Sequence, residues 1–330
     1  MKILITGSEG FFGSHLVERL VKKGHKLKCL VLYNAFNNFG WLDSLSKNIT
    51  KKIQIITGDI RDENIINSAI KNNDCVINLA ALIGIPYSYN AAKSYVDTNI
   101  LGTLKLLEAA KLYKIKKFIH TSTSEVYGTP KYVPIDENHP LVGQSPYAAT
   151  KIAADQLAIS FHRSFDQPVT IIRPFNTFGP RQSARAIIPT IILQILNGNK
   201  VLKLGNIDTR RDFTFIDDTI SGYEAILKKK PFGEVINLGT GYDYSIKDLV
   251  KIISKEMSTK VEIELDKKRL RPKKSEVLRL KANNSKARKI LNWKPKYIKQ
   301  KGFIAAIRKT IDWYSDSENL QNFKGDSYNI

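Results

Sequence analysis

The stretch KILITGSEGFFG, residues 2–13, joins a short apolar run to a turn that contains three glycines. The apolar run is typical of a buried strand, and the residues from about Phe12 to Lys23 have the pattern of an amphipathic helix. Glycines between a strand and a helix permit a tight turn and let backbone amides approach a pyrophosphate at the start of the helix. The stretch therefore predicts a dinucleotide site that is built from Gly7, Gly10, Phe11, Phe12 and Gly13.

Apolar runs and helical patterns continue to alternate through the first half of the chain. Further strand-like runs are residues 27–32, 53–57, 75–80, 117–122 and 169–173, and helical patterns cover 63–71, 100–113 and 146–164. Strands that are joined through helices lie parallel, in a sheet that helices cover on both faces. The predicted fold class is α/β, with a doubly wound parallel sheet of the Rossmann kind.

The alternation becomes less regular after Pro174, which indicates a second, smaller α/β domain that is mostly C-terminal. We predict a dinucleotide-binding domain of residues 1–173 together with about 214–237, and a substrate-binding domain of residues 174–213 and 238–314. No low-complexity linker separates the two, so we expect them to pack directly together around a cleft. Residues 315–330 are polar and weakly patterned, which predicts a loosely held tail.

The composition excludes several classes of protein. Hydrophobic residues make up 42% of the 330 residues and no long apolar stretch occurs, so we expect a globular protein without a membrane span. The net charge is +21, but the lysines are scattered and no nucleic-acid motif accompanies them, so no nucleic-acid partner is expected. No signal peptide is recognisable, and Cys29 and Cys75 have no metal-ligand spacing. These features predict a cytoplasmic protein with reduced thiols and no metal site.

Two further positions bear on the dinucleotide. Asp59 follows the third strand-like run, where its carboxylate either accepts from the adenine amino group or caps the next helix. A carboxylate for the adenosine ribose is expected at the end of the second strand, but residues 31–34 read Val-Leu-Tyr-Asn. No arginine for a 2′-phosphate is present there either, so the sequence leaves both NAD and NADP open.

A second group of polar residues lies around the fifth and sixth strands. Ser145 and Pro146 are a good N-cap and first-turn pair, so Tyr147 is expected to begin a helix. The spacing of four puts Lys151 on the same helical face, where its ammonium favours the phenolate form of the tyrosine. Upstream, residues 121–128 (TSTSEVYG) follow a strand, and strand ends are where open α/β sheets place their sites.

With these motifs the sequence resembles the extended short-chain dehydrogenase/reductases that modify nucleotide sugars. The resemblance covers nearly the whole chain and includes residues 78–81 (NLAA), 98–103 (TNILGT), 173–180 (RPFNTFGP), 211–213 (RDF) and 288–295 (RKILNWKP). It implies a tightly bound NAD or NADP that is regenerated in each cycle, held in addition by Asp59, Ile60, Leu79, Ala80, Ala81, Tyr147 and Lys151. It also implies a homo-oligomer, a dimer or a tetramer.

Within this group, residues 123–125 sort the reactions. Members that only epimerise C4 of the sugar lack an acid there, whereas Thr123-Ser124-Glu125 is similar to the loop of GDP-mannose 4,6-dehydratase. The resemblance implies that Tyr147 takes the C4 hydroxyl proton, Glu125 removes H5, and Thr123 hydrogen-bonds the sugar near O4. Ser124 stands where other dehydratases offer an aspartic acid to the leaving group. UDP-glucuronate decarboxylases also carry Thr-Ser-Glu, so a decarboxylase and a C4 epimerase are the alternatives, and a non-catalytic nucleotide- or RNA-binding protein is the alternative of another class.

A closer resemblance is to the N-acetylglucosamine 4,6-dehydratase of legionaminic acid synthesis. It rests on residues 34–43 (NAFNNFGWLD), 83–89 (IGIPYSY) and 275–277 (SEV). The implied substrate is GDP- or UDP-N-acetylglucosamine, and the resemblance of residues 271–277 to the Arg-Pro-x-Glu-Val segment of GDP-mannose dehydratases favours GDP. Predicted substrate residues are Asn176, Arg211 and Glu276, with an ion pair to a neighbouring aspartate as the alternative role of Arg211.

Overall fold

A seven-stranded parallel sheet forms the centre of the molecule. The computed structural model describes residues 1–323. The strands are β1 (Lys2–Thr6), β2 (Lys26–Val31), β3 (Ile53–Thr57), β4 (Cys75–Asn78), β5 (Lys117–Thr121), β6 (Val169–Pro174), β7 (Asn176–Phe178), β8 (Val201–Leu204), β9 (Arg210–Phe215), β10 (Val235–Leu238), β11 (Asp243–Ser245), β12 (Glu262–Leu265) and β13 (Arg279–Leu280). The large sheet has the order β10-β6-β5-β4-β1-β2-β3. The predicted doubly wound sheet is confirmed, since the chain starts near its centre and winds outward in both directions.

Helices cover both faces of this sheet. In chain order, the helices of the molecule are α1 (Phe11–Lys22), α2 (Lys47–Thr50), α3 (Glu63–Ile70), α4 (Ile85–Asn90), α5 (Ala92–Tyr95), α6 (Gly102–Leu112), α7 (Pro146–Phe165), α8 (Ile187–Leu196), α9 (Ile216–Lys229), α10 (Ile246–Glu256), α11 (Ser285–Leu291), α12 (Lys299–Ser315) and α13 (Ser317–Leu320). Ile3 and Leu4 are successive residues of β1, and both are fully buried. Ile3 packs in one core with Leu16 of α1, and Leu4 packs in the other with Leu106 of α6. A strand buried on both faces reads as a continuous apolar run, which is why residues 2–6 show no alternation.

A smaller group of strands follows the large sheet. Its centre is β9, which pairs with β7, β11 and β13, while β8 and β12 form a separate parallel pair. Asp212 of β9 is buried, and its carboxylate accepts from the amides of Thr240 at 2.9 Å, Gly241 at 2.8 Å and Ala282 at 3.1 Å. Only Phe175 separates β6 from β7, so the chain passes directly from the large sheet into this smaller group.

The segment that the sequence predicts as a loosely held tail is packed as far as the structure describes it. After α12 the chain forms the short helix α13, and Phe323 lies beside Tyr314 and Trp41, with ring centroids 5.1 and 5.8 Å apart. Trp41 also contacts Trp313, at 5.4 Å between centroids. The remainder of the predicted tail, residues 324–330, lies outside the described residues. The aromatic cluster ties the end of the described chain to the loop that follows β2.

Both cysteines lie on strands of the large sheet. Cys29 and Cys75 are free and buried, and burial raises the pKa of each thiol to about 12, so both stay protonated near neutral pH. Within residues 1–323, no helix combines the length and the apolar composition that a membrane crossing needs. The same residues contain no group of three or more His, Cys, Asp or Glu side chains placed to hold a metal ion.

Candidate active site

The predicted site residues line two adjoining cavities, a larger one of about 1640 Å³ and a smaller one of about 260 Å³. Asn176, Arg185 and Arg271 line both. The smaller cavity also contains Arg211 and Glu276, the other two predicted substrate residues. The larger cavity contains all the predicted catalytic and cofactor residues: Gly7, Gly10, Phe11, Phe12, Gly13, Asp59, Ile60, Leu79, Ala80, Ala81, Thr123, Ser124, Glu125, Tyr147 and Lys151. The structure thus brings together residues that the sequence spreads over most of the chain.

The three glycines of the first turn are needed for different reasons. Gly7 has φ +65°, and a Cβ there would lie 2.9 Å from the amide nitrogen of Ala80. A Cβ on Gly13 would overlap the carbonyl oxygen of Gly7. Gly10 has φ −78°, and a Cβ there would contact only that same oxygen, at 3.4 Å. Gly7 and Gly13 are therefore required by the fold itself, whereas Gly10 keeps open the space in front of the helix.

The turn has the features that a dinucleotide pyrophosphate requires. Gly10 is the N-cap of α1 and no side chain caps the helix, so the amides of its first turn are available to an anion. Thr6 Oγ1 accepts from the amides of Leu79 at 3.2 Å and Ala80 at 3.1 Å, which fixes the neighbouring cavity wall. The residues present fit an NAD-type cofactor, with the pyrophosphate at the amino end of α1.

Asp59 does not cap a helix. The cap of α3 is Asp62, whose carboxylate accepts from the amide of Ile65 at 3.1 Å. Asp59 instead accepts from the Arg61 amide at 2.8 Å and from its guanidinium at 2.6 Å. The helix-cap alternative is therefore wrong, and the adenine contact stays a prediction.

Tyr147 and Lys151 lie on the first turns of α7. Ser145 accepts from the Ala148 amide at 3.1 Å, so the predicted N-cap is confirmed. Burial raises the pKa of the Tyr147 phenol above its usual range, a hydrogen bond with Thr123 opposes this shift, and the carboxylate of Glu125 adds to it. Burial also lowers the pKa of the Lys151 ammonium to about 8. Positive charge close to the phenol is therefore needed before Tyr147 can act as a base near neutral pH.

Behind Lys151 lies a buried ionic network that the sequence did not predict. Lys151 Nζ donates to the carbonyl oxygen of Thr121 at 2.6 Å, and the charge of Asp155 opposes the fall in the Lys151 pKa. Asp155 accepts from Ser122 Oγ at 2.8 Å and from Arg173 Nε at 3.0 Å. Asp155 follows Lys151 by one helical turn, a spacing that could have signalled this electrostatic interaction. The Thr121 carbonyl oxygen holds the ammonium group, and the charge of Asp155 favours its protonated form.

The loop of residues 123–125 closes the wall opposite α7. Thr123 begins the 3-10 turn Ser124–Tyr127, and its Oγ1 accepts from the amide of Glu125 at 3.2 Å. Ser124 is buried, and only 12% of the Glu125 side chain is exposed. This arrangement places a hydroxyl and a carboxylate beside the Tyr147 phenol in one cavity.

Two arginines and one glutamate meet where the cavities join. Arg211 Nη2 lies 3.6 Å from Glu276 Oε1, and Arg271 Nη1 lies 3.8 Å from the same oxygen. The carboxylate of Asp212, the residue next to Arg211, accepts from three backbone amides instead of pairing with the arginine. The alternative in which Arg211 pairs with a neighbouring aspartate is therefore wrong. Asn176 Oδ1 is buried without a hydrogen-bond partner within residues 1–323. Cations and unsatisfied polar atoms at this junction suit an anionic, hydroxyl-rich ligand.

Sequence reasoning missed Arg271 and Glu9 as site residues, although both line the larger cavity. Arg271 stands in the segment of residues 271–277 that carries the resemblance, which was the available signal. Glu9 lies between Gly7 and Gly10 in the glycine turn, where no pattern in the single sequence singles it out.

The sequence is similar to those of known nucleotide-sugar dehydratases. Residues 4–304 match the family described as GDP-mannose 4,6 dehydratase. A dTDP-D-glucose 4,6-dehydratase of Dictyostelium discoideum is 37% identical over 267 residues, which are 76% of this chain and 61% of the relative, so the chain spans less than two thirds of that protein.

Two solved structures resemble nearly the whole chain. One is the dTDP-glucose 4,6-dehydratase DesIV of Streptomyces venezuelae, with NAD and TYD bound, which has a TM-score of 0.85 at 26% identity. The match covers 97% of this chain and 98% of the DesIV chain. The UDP-glucuronic acid 4-epimerase of Bacillus cereus, with UDP-glucuronic acid and NAD, has a TM-score of 0.84 at 31% identity and covers 98% of this chain and 100% of its own. From its sequence, fold and cavity, the chain belongs to the GDP-mannose 4,6-dehydratase family of NAD-dependent nucleotide-sugar dehydratases and epimerases, within the extended short-chain dehydrogenase/reductases.

Proposed function

We propose that this protein catalyses the 4,6-dehydration of a nucleotide-linked hexose to the 4-keto-6-deoxy sugar. The observation that carries the proposal is the position of Glu125, which shares one cavity with Thr123, Tyr147 and Lys151. A simple C4 epimerisation does not require a carboxylate at this place. An elimination does, because a base has to remove the proton on C5.

The first proton moves to Tyr147. Lys151 supports the phenolate because its ammonium group lies on the same face of α7, and Thr123 shares a hydrogen bond with the phenol. When bound, the dinucleotide would supply a hydride acceptor for the hydrogen on C4 and a hydride donor for C6. The buried setting keeps water away from the C4 ketone while it exists.

Glu125 then acts on the neighbouring carbon. The ketone at C4 acidifies H5, and the Glu125 carboxylate collects that proton while water leaves from C6. Ser124 offers a hydroxyl and no carboxylic acid, so we assign the proton for the leaving hydroxyl to the newly protonated Glu125. This assignment makes one residue serve as base and acid in sequence. C5 then takes a new proton from solvent as hydride arrives at C6, and Tyr147 releases the O4 proton to solvent, which restores the starting state.

The C4 epimerase is the alternative that a specific observation favours. Of the two solved structures compared above, the Bacillus cereus epimerase is 31% identical to the chain and DesIV is 26% identical, whereas the Dictyostelium dehydratase is 37% identical over 267 residues, so identity alone does not separate the two reactions. A decarboxylase remains the other alternative because it shares the Thr-Ser-Glu loop. The mass of the product separates all three, since it falls by one water, stays constant or falls by one carbon dioxide.

For the substrate we propose GDP- or UDP-N-acetylglucosamine, with GDP favoured, as in legionaminic acid synthesis. The diphosphate would lie near Arg211 and Arg271, which supply two cations at the junction of the cavities. Glu276 Oε1 would accept from a ribose hydroxyl of the nucleotide, and Asn176 would hydrogen-bond the sugar. We further propose a cytoplasmic homodimer formed through α6 and α7, whose surfaces expose Leu112 and Phe165.

The test is incubation of the purified protein with separate nucleotide sugars, followed by mass spectrometry of each product. We expect loss of one water from GDP- or UDP-N-acetylglucosamine and a slower reaction with dTDP-glucose. Product of unchanged mass with an inverted C4 would overturn the dehydratase in favour of the epimerase.

A further inference from the structure

The adenosine end of the cofactor cavity lacks the carboxylate that is expected at the end of β2. Residues 31–34 contain no acid, yet a carboxylate from another part of the chain reaches this place. Glu9, in the glycine turn, accepts a hydrogen bond at Oε1 from the amide of Leu32, at 3.0 Å. Its Oε2 is buried and accepts from no donor within residues 1–323. A half-satisfied carboxylate at the wall of a ligand cavity indicates a missing donor.

The loop after β2 holds Glu9 in position. The Trp41 amide donates to the Glu9 carbonyl oxygen at 3.0 Å. Gly40 has φ +55°, and a Cβ on it would lie 2.9 Å from that oxygen, so only glycine permits the close approach. Burial raises the pKa of the Glu9 carboxyl, and the backbone amides of Leu32 and of Glu9 itself oppose this shift. A donor from a ligand would favour the charged form further.

The charges around Glu9 favour a ligand without an extra phosphate. Among the cavity-lining residues of the loop after β2, Asp43 is charged and no lysine or arginine occurs. Arg61, on the loop after β3, has its guanidinium 2.6 Å from the carboxylate of Asp59. A 2′-phosphate near Glu9 would therefore be repelled by a carboxylate, and the loop after β2 would offer it no cation from among its cavity-lining residues.

We propose that Glu9 accepts a hydrogen bond from the 2′-hydroxyl of the adenosine ribose and thereby selects NAD over NADP. It takes the place of the carboxylate that β2 does not supply. The inference rests on the dinucleotide chemistry of the family and not on 4,6-dehydration, so it stands or falls independently of the reaction.

The test measures binding to protein from which endogenous dinucleotide has been removed. Isothermal titration with NAD, NADP and NAD that carries 2′-deoxyadenosine gives the affinities without any turnover. Hydrogen bonds to charged groups contribute about 1.5–3 kcal/mol, so we expect the deoxy analogue to bind roughly ten- to hundredfold more weakly than NAD, and NADP at least as weakly. Glu9→Gln keeps the shape and removes the charge, so the preference for NAD over NADP should fall by roughly tenfold or more.

The control is Glu262→Gln, on the exposed strand β12, which should leave all three affinities unchanged. Equal binding of NAD and its 2′-deoxy analogue by the unsubstituted protein would overturn the proposal, even if the Glu9 variant failed to fold. An unchanged NAD-to-NADP ratio in a folded Glu9→Gln protein would overturn it as well.

Discussion

Arg271 Nη1 lies 4.0 Å from Glu125 Oε2, so the proposed base of the elimination faces a cation from the segment between β12 and β13. The same nitrogen is 3.8 Å from Glu276 Oε1 and makes no hydrogen bond within residues 1–323. A guanidinium that is shared loosely between two carboxylates is ready to take a stronger anionic partner. A substrate diphosphate at this place would therefore compete with Glu125 and Glu276 for the Arg271 guanidinium.

Glu125→Gln should separate the elimination from the oxidation. Oxidation at C4 needs Tyr147 and Lys151, whereas removal of H5 needs the Glu125 carboxylate, and general base catalysis is typically worth roughly a hundred- to ten-thousandfold. We expect turnover to fall by that range while reduced nicotinamide accumulates, as seen by its absorbance.

Tyr147→Phe is the matched comparison, because it should stop the reaction before any reduced nicotinamide appears. In deuterated water, the unsubstituted enzyme should place deuterium at C5 and carry the original C4 hydrogen to C6. Near-normal dehydration by Glu125→Gln, or product without solvent deuterium at C5, would contradict the proposed mechanism and favour the epimerase.

Arg211→Ala should raise the Michaelis constant for the nucleotide sugar and leave the affinity for NAD unchanged. Arg211 is buried beside Glu276 in the smaller cavity, away from the glycine turn. Loss of one charge-assisted contact with a diphosphate is worth about 1.5–3 kcal/mol, or roughly ten- to hundredfold in affinity.

Arg210→Ala is the control for this prediction, because the neighbouring Arg210 pairs with Asp243 at 3.0 Å. It should leave the Michaelis constant near that of the unsubstituted enzyme. If Arg211→Ala bound the substrate normally, the diphosphate would have to lie elsewhere.

Gly10→Val should abolish retention of the cofactor in a protein that still folds. A Cβ at Gly10 meets only one protein atom, at 3.4 Å, so the added side chain points toward the space that the pyrophosphate needs. Circular dichroism checks the fold, and the dinucleotide released on denaturation measures retention. Stoichiometric dinucleotide from a folded Gly10→Val protein would contradict the assignment.

Gly7→Val should affect the stability of the fold, in contrast to Gly10→Val. Its side chain would strain a backbone at φ +65° and press on Ala80, so we expect a loss of stability rather than a selective loss of cofactor.

Hydrophobic periodicity and capping residues correctly predicted a central strand and the start of a site helix. The run of residues 2–6 gave the central strand, and Ser145-Pro146 gave the start of α7, because periodicity and capping act over a few residues. The contact of Arg271 with Glu125 joins segments far apart in the chain, and no single-sequence pattern reports such a distance. Glu9 was missed for the same reason, since its contact with Leu32 exists only after the strands have paired.

Lys151 should set the alkaline limit of the reaction. Burial disfavours the charged amine and lowers its pKa to about 8, so the ammonium is present below that pH and lost above it. Because the phenolate of Tyr147 depends on that charge, kcat/KM should fall as the pH rises through about 8. Lys151→Arg keeps its charge at all accessible pH values, so it should move the falling limb of the pH profile to higher pH, at a lower maximal rate.

Asp155→Asn removes the charge that raises the Lys151 pKa, so it should move the falling limb to lower pH. That variant also leaves the buried Arg173 without its carboxylate partner, so its melting temperature should drop and must be measured alongside the pH profile. Profiles in which both variants kept the limb of the unsubstituted enzyme would show that another group controls the alkaline limit.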